Sequence, residues 1–166
     1  LTAEPTIEYR TKNEQLPSSP EEIAVVRAIH EYYKDDPIGF ERCATEIVKI
    51  MDANFIEFDL TRPSRDGGRD ALGKYRIGVG PSSILVDVAL EAKCYAPTNG
   101  VGVRELSRLI SRLRHRQVGV LVTTSYVAQQ AYKEVKDDEH PVVIICAADI
   151  SRILRNHGIR DAHYAK

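Results

Sequence analysis

Apolar positions repeat along this chain first at helical spacing, then at strand spacing, and then at the two in turn. The first stretch, Leu1–Leu16, is polar and has no clear period, and it reads as an arm or linker. Ser19-Pro20-Glu21-Glu22 combines a capping hydroxyl, a first-turn proline and two first-turn acids, so a helix is expected from here to about Lys34. Asp36-Pro37 opens a second helix that runs to about Asp52. On it Phe40, Ala44, Ile47 and Met51 form one apolar stripe, with Cys43 and Ile50 beside it and Glu41 on its flank, near the core but outside it.

The spacing then shortens. Asn54–Leu60, Arg69–Val79 and Ile84–Tyr95 read as strands, divided by turn-formers at Pro63-Ser64, Asp66-Gly67-Gly68 and Gly80-Pro81-Ser82. Short links predict an antiparallel meander. Helical spacing returns over Gly102–Arg116, where Leu106, Leu109, Ile110 and Leu113 share a face. A strand over Gln117–Thr124, a helix over Val127–Lys136 and a strand over Pro141–Ala147 follow. A last helix is capped by Asp149 and stopped at His157-Gly158. Strands that alternate with helices imply parallel pairing. The expected fold is an α/β sandwich around a mixed sheet.

With 166 residues the chain is long enough for one well-buried domain, placed at 19–166 behind the arm at 1–18. Because it starts at Leu1 rather than Met, it is expected to be part of a larger protein. No apolar run is long enough to span a bilayer, so no membrane partner is expected. Cys43, Cys94 and Cys146 are odd in number and far apart, which suits a reduced, cytoplasmic protein better than a disulfide framework. The five histidines have no zinc-ligand spacing. A net charge of −1 means that any nucleic-acid contact must come from a local patch.

Two such localities carry chemistry. The run ILVDVALEAKCY, Ile84–Tyr95, ends with Glu91 and Lys93, which share a face because side chains alternate along a strand. Upstream lies Asp66-Gly67-Gly68-Arg69-Asp70, where the glycines would let a phosphate backbone approach. Asp70 and Glu91 could give a hard divalent cation two carboxylates, and the carbonyl of Ala92 a third oxygen. Lys93 could orient a water or stabilise a charged phosphate. Such a set suits metal-dependent phosphodiester hydrolysis. The bland alternative is a Glu–Lys pair reaching solvent at a strand end. Glu134-Val135-Lys136 repeats the triplet on a helix, where i and i+2 do not share a face, so it is read as exposed charge. Asp66 is read as shaping its turn, Asp87 as a paired or supporting group set deeper than Glu91, and Glu46 as solvated.

The second locality is the polar face of the helix at Gly102–Arg116. Arg104, Arg108, Arg112 and His115 line it, and Arg114 and Arg116 lie nearby. Arg62, Arg65 and Arg69 in the acid-cluster loop are further phosphate candidates. A solvated face opposite an apolar one is the alternative.

The ordered set of pieces resembles the PD-(D/E)xK nucleases, and within them the Mrr-like restriction endonucleases. The matching residues are Phe40-Glu41, Asp66–Asp70, Leu90–Tyr95, Val103-Arg104-Glu105-Leu106, Val120–Ser125 and Ala131. The resemblance implies a restriction-endonuclease-like three-layer sandwich. It also implies a Mg²⁺-dependent endonuclease, with Mn²⁺ able to substitute, acting on double-stranded DNA. Asp70 and Glu91 would bind metal, Lys93 would be the catalytic lysine, and Glu41 would complete the site. Arg69-Asp70 stands where the family name has Pro-Asp, and Glu91 stands where many Mrr-like proteins have Gln. Cutting both strands implies a homodimer or repeated nicking, and specificity would lie in a separate recognition domain or subunit. Two other functions stay open, a structure-selective or repair nuclease of the junction-resolvase kind and a nuclease fold used only for binding DNA.

Overall fold

The structure, a computed structural model, describes residues 5–60, 71–113 and 118–158. Capping sets the helix starts. Thr11 caps a single turn, α1 (Lys12–Gln15), Ser19 caps α2 (Pro20–Tyr33), and Asp36 caps α3 (Pro37–Met51). Strands β1 (Phe55–Leu60), β2 (Ala71–Val79) and β3 (Ser82–Lys93) form the expected antiparallel meander. Then α4 (Val103–Ser111), β4 (Val118–Thr123), α5 (Gln129–Asp137), β5 (Val142–Ile145) and α6 (Ala147–Asn156) alternate, with β3, β4 and β5 parallel. The sheet order is β1-β2-β3-β4-β5.

The strand period of two sorts side chains into two cores. Val88, Leu90, Val120, Val122 and Ile145 face α2, α3 and α6. Ala89, Leu121, Val142 and Ile144 face α4 and α5. This is the α/β sandwich that the apolar pattern implied, with the three layers that the resemblance implied.

Four local readings change. The stripe on α3 runs through Val48, fully buried, and Met51 at its end is 37% exposed. The buried face is broad enough to include Glu41 and Thr45, so Glu41 lies in the core rather than at its flank. Asp149 is not the residue that starts α6. It sits one turn in, and its carboxylate reaches back to the Cys146 N–H at 3.0 Å. Asp87 is exposed, because α4 and α5 do not cover its part of the sheet, and it pairs with Lys74 on β2.

The polar arm is also docked. Arg10 grips Asp149 with both carboxylate oxygens at 2.8 Å and also bonds Tyr132 Oη and the Ile144 carbonyl. Gln15 is 1% exposed, and its amide satisfies both backbone groups of Val127, at 2.7 and 3.1 Å. A polar segment can pack this way because its side chains make the hydrogen bonds that apolar ones would leave unmade.

Candidate active site

Strand β3 changes its surroundings along its length. Paired with β2 on one side, it runs from exposed residues at Ile84 and Leu85 to fully buried Leu90. Among the described residues the β2 pairing reaches Ala71↔Leu90, and the β4 pairing runs on through Glu91↔Leu121, Ala92↔Val122 and Lys93↔Thr123, which holds the last three residues of β3 along that edge.

Glu91 and Lys93 lie on this segment. The carboxylate is 3% exposed and the lysine half-buried, with Lys93 Nζ 3.3 Å from Glu91 Oε1. A carboxylate so enclosed carries a large desolvation cost unless a cation is close. The backbone adds an oxygen. The Thr124 N–H donates to the Lys93 carbonyl at 3.4 Å, so that carbonyl faces β4. Carbonyl directions alternate along a strand, which turns the Ala92 carbonyl to the opposite edge, away from β4. Glu41 Oε1 and Glu91 Oε2 are both shielded from solvent. Carboxylate and carbonyl oxygens are the donors that a hard divalent cation takes. Among the described residues, no group of three or more His, Cys, Asp or Glu gathers in a metal-binding cluster. Asp70, Arg65 and Arg69 lie outside the described residues.

The C-terminal side of the site holds a network that the sequence reading passed over. Tyr95 Oη donates to Glu105 Oε1 at 3.0 Å, and the Gly102 N–H donates to Glu105 Oε2 at 3.0 Å. Burial by itself would raise the Glu105 carboxyl, but its own backbone N–H, the Tyr95 hydroxyl, the Gly102 N–H and the charge of Lys93 together outweigh it and hold the group below the usual glutamate range. Tyr95 is pushed up to about 12, first by burial and then by Glu105, with Glu91 adding and Arg108 opposing. Tyr95 was legible in principle, since positions 91, 93 and 95 alternate onto one face. Glu105 stood out only as the lone acid among the arginines of its helix.

Those arginines are split. Arg104 is exposed and Arg108 half-buried. The helix ends at Ser111, earlier than expected, and Arg112 becomes its C-cap with its N–H shared between the Leu109 and Ile110 carbonyls. A last turn tightened in this way is a common helix ending. Arg114, His115 and Arg116 lie outside the described residues. Glu134 is exposed on α5, as expected of a triplet on a helix. The histidines join no metal cluster among the described residues.

The family model Mrr_cat, a restriction endonuclease, matches residues 33–154. The chain belongs to this restriction endonuclease family. No curated protein matches it. Among solved structures it is similar to the DNA modification-dependent restriction endonuclease AspBHI, at 51% identity and a TM-score of 0.91 over 98% of this chain and 42% of that one. It is also similar to the MspJI restriction endonuclease, solved in complex with a 27-mer oligonucleotide, at 31% identity and a TM-score of 0.82 over 92% of this chain and 35% of that one. The chain thus spans less than half the length of either protein. Family and fold are those of the DNA endonuclease catalytic domain of a restriction enzyme. Among the described residues, no helix is long and apolar enough to cross a membrane.

Proposed function

We propose that the chain is the Mg²⁺-dependent hydrolytic domain of a restriction endonuclease that cuts double-stranded DNA, and that the whole protein reads a modified base. The observation that carries the catalytic part is the Glu91–Lys93 pair, 3.3 Å apart at the end of β3, with the carboxylate 3% exposed. The modified base rests on the 51% identity with AspBHI, a modification-dependent enzyme.

Asp70, Glu91, the Ala92 carbonyl and Glu41 would hold the ion. Ala71, which Asp70 precedes in sequence, is paired with Leu90, which Glu91 follows, so continuing the antiparallel register by one residue would set the two acids opposite each other. A bound divalent ion supplies charge stabilisation and a water of lowered pKa. Lys93, the catalytic lysine with Asp70 and Glu91, places a positive charge at the same mouth. There it orients the attacking water and offsets the charge gathering on the phosphate oxygens. No covalent intermediate is needed. Arg104, Arg108 and Arg112 beside β3, with Arg65 and Arg69 from the loop before β2, bind backbone phosphates and give no sequence information. Base reading belongs to a further domain or subunit, and duplex cleavage to a homodimer of one-strand sites.

Plasmid nicking with Mg²⁺ or Mn²⁺, on methylated and unmethylated DNA, tests this directly. Wild type is expected to cut, and Asp70→Ala and Lys93→Ala to lose cutting. If wild type is as inert as both variants on both substrates, the enzyme reading is wrong.

A further inference from the structure

The loop from β3 to α4, residues 95–102, joins the proposed catalytic strand to the arginine helix. It lies along residues 124–128, the segment that follows β4. Thr124 Oγ1 donates to the Tyr95 carbonyl, Ser125 Oγ to the Asn99 carbonyl and the Val101 N–H to the Tyr126 carbonyl, each at 2.7 Å. The Ala128 N–H donates to the Val101 carbonyl at 2.8 Å. Tyr126 and Ala128 thus turn backbone groups toward the loop. Such groups alternate along an extended segment, so those of Val127 turn the other way. There they meet the arm. The Val127 N–H donates to Gln15 Oε1 at 2.7 Å, and Gln15 Nε2 donates to the Val127 carbonyl at 3.1 Å. The Gln15 side chain takes the place of a neighbouring strand. Arm and loop also share the Tyr126 ring. Lys12 Nζ lies 4.7 Å from its centroid, and Gly100 packs so close that a Cβ there would lie 2.6 Å from it.

We propose that Gln15 is a positioning residue for DNA binding: through Val127 and Val101 it fixes the start of α4 and so the place of Arg104. This rests on the reading above, in which Arg104 binds a backbone phosphate.

Val101 and Val127 are 0% and 1% exposed, so a hydrogen bond lost between them and their partners is not made good by bulk water. Arg104 follows closely, in the first turn of α4, with its side chain exposed. Leu106 and Leu109 anchor the body of the helix in the core. The influence of Gln15 is thereby confined to the first turn. The competing explanation is that Gln15 serves stability alone, and it makes a different prediction.

The test measures affinity of the whole chain for a methylated DNA duplex in Ca²⁺, single-turnover cleavage at saturating DNA in Mg²⁺, and melting temperature. Gln15→Ala is expected to weaken binding about fivefold, the scale of one phosphate contact. Its cleavage rate at saturation should stay within about twofold of wild type, since the loss is in binding. Arg104→Ala should weaken binding by as much, and the double variant no further, because residues acting through one another are not additive. Val25→Ala, a truncation in the core on the other face of the sheet, should lower the melting temperature and leave affinity unchanged. Amide exchange of the wild type needs no variant. Val101, Val127 and Ala128 should share one protection factor to within about threefold, as parts of one opening unit. Additive losses in the double variant overturn the positioning role, and so does wild-type affinity in Gln15→Ala. An equal loss of affinity in Val25→Ala overturns it by making the effect one of stability. A Val127 amide that opens while Val101 and Ala128 stay protected overturns it without any substitution. Wild-type affinity in Arg104→Ala removes the phosphate contact and this inference with it.

Discussion

The sheet has an enclosed half and an open half, and β3 belongs to both. In the parallel half, helices cover both faces, and Val120, Leu121, Val122 and Thr123 on β4 are all fully buried. In the antiparallel half, Leu72, Ile77, Val79, Ile84 and Leu85 are half or more exposed. The site lies where β3 crosses from the open half to the enclosed one. Enclosure gives Glu91 a low-dielectric setting in which charge interactions are strong. Lys93 beside it is half-buried, so the pair spans the change from enclosed to accessible.

The sharpest way to break this comparison is to remove the charge at the crossing. Lys93→Ala should cut the cleavage rate about 10²–10³-fold while DNA affinity in Ca²⁺ stays within a few-fold, checked by single-turnover nicking and by titration. The contrast between halves should also appear in stability. Leu121→Ala, in the enclosed half, is expected to cost about 3 kcal/mol, and Leu85→Ala, in the open half, about 0.5 kcal/mol, both from urea denaturation. Similar costs would mean that the open half is covered in solution. Between these two, Gln15→Ala strips both partners from the Val127 backbone and should cost about 2 kcal/mol, read from the same denaturation curves. The smallest effect tests the arginine face. Arg104→Ala should lower the slope of log affinity against log salt by about one, with stability unchanged, because its side chain is exposed.

Most of the layering was legible because a period of two and a period of 3.6 leave different traces. The alternation through Ile84–Tyr95 placed Glu91 and Lys93 on one face without any coordinates. Burial depth was less legible. Asp87 shares that face yet is exposed, since a sequence pattern does not say how far along a sheet the covering helices reach. Glu41 fell on the wrong side of the core boundary for a related reason. A helix packed against both a sheet and its neighbours buries more than one stripe. The docked arm was illegible in principle, because hydrogen-bonding residues such as Arg10 and Gln15 have the same composition in an anchored segment as in a loose one. The partnership of Tyr95 with Glu105 depends on where α4 starts relative to β3, which spacing along the chain does not fix.

The docked arm bears on modular reuse. The family match begins at residue 33, the last position of α2. A catalytic cassette transplanted at that border would leave behind Arg10, Gln15 and most of α2. It would lose Val25, Val26 and Ile29, each less than 5% accessible here, and uncover the part of the core that Val25 and Ile29 pack against, along with the Asp149 carboxylate that Arg10 pairs with. A chimaera that keeps these contacts starts before Arg10, about one fifth longer at its N-terminal side than the family border.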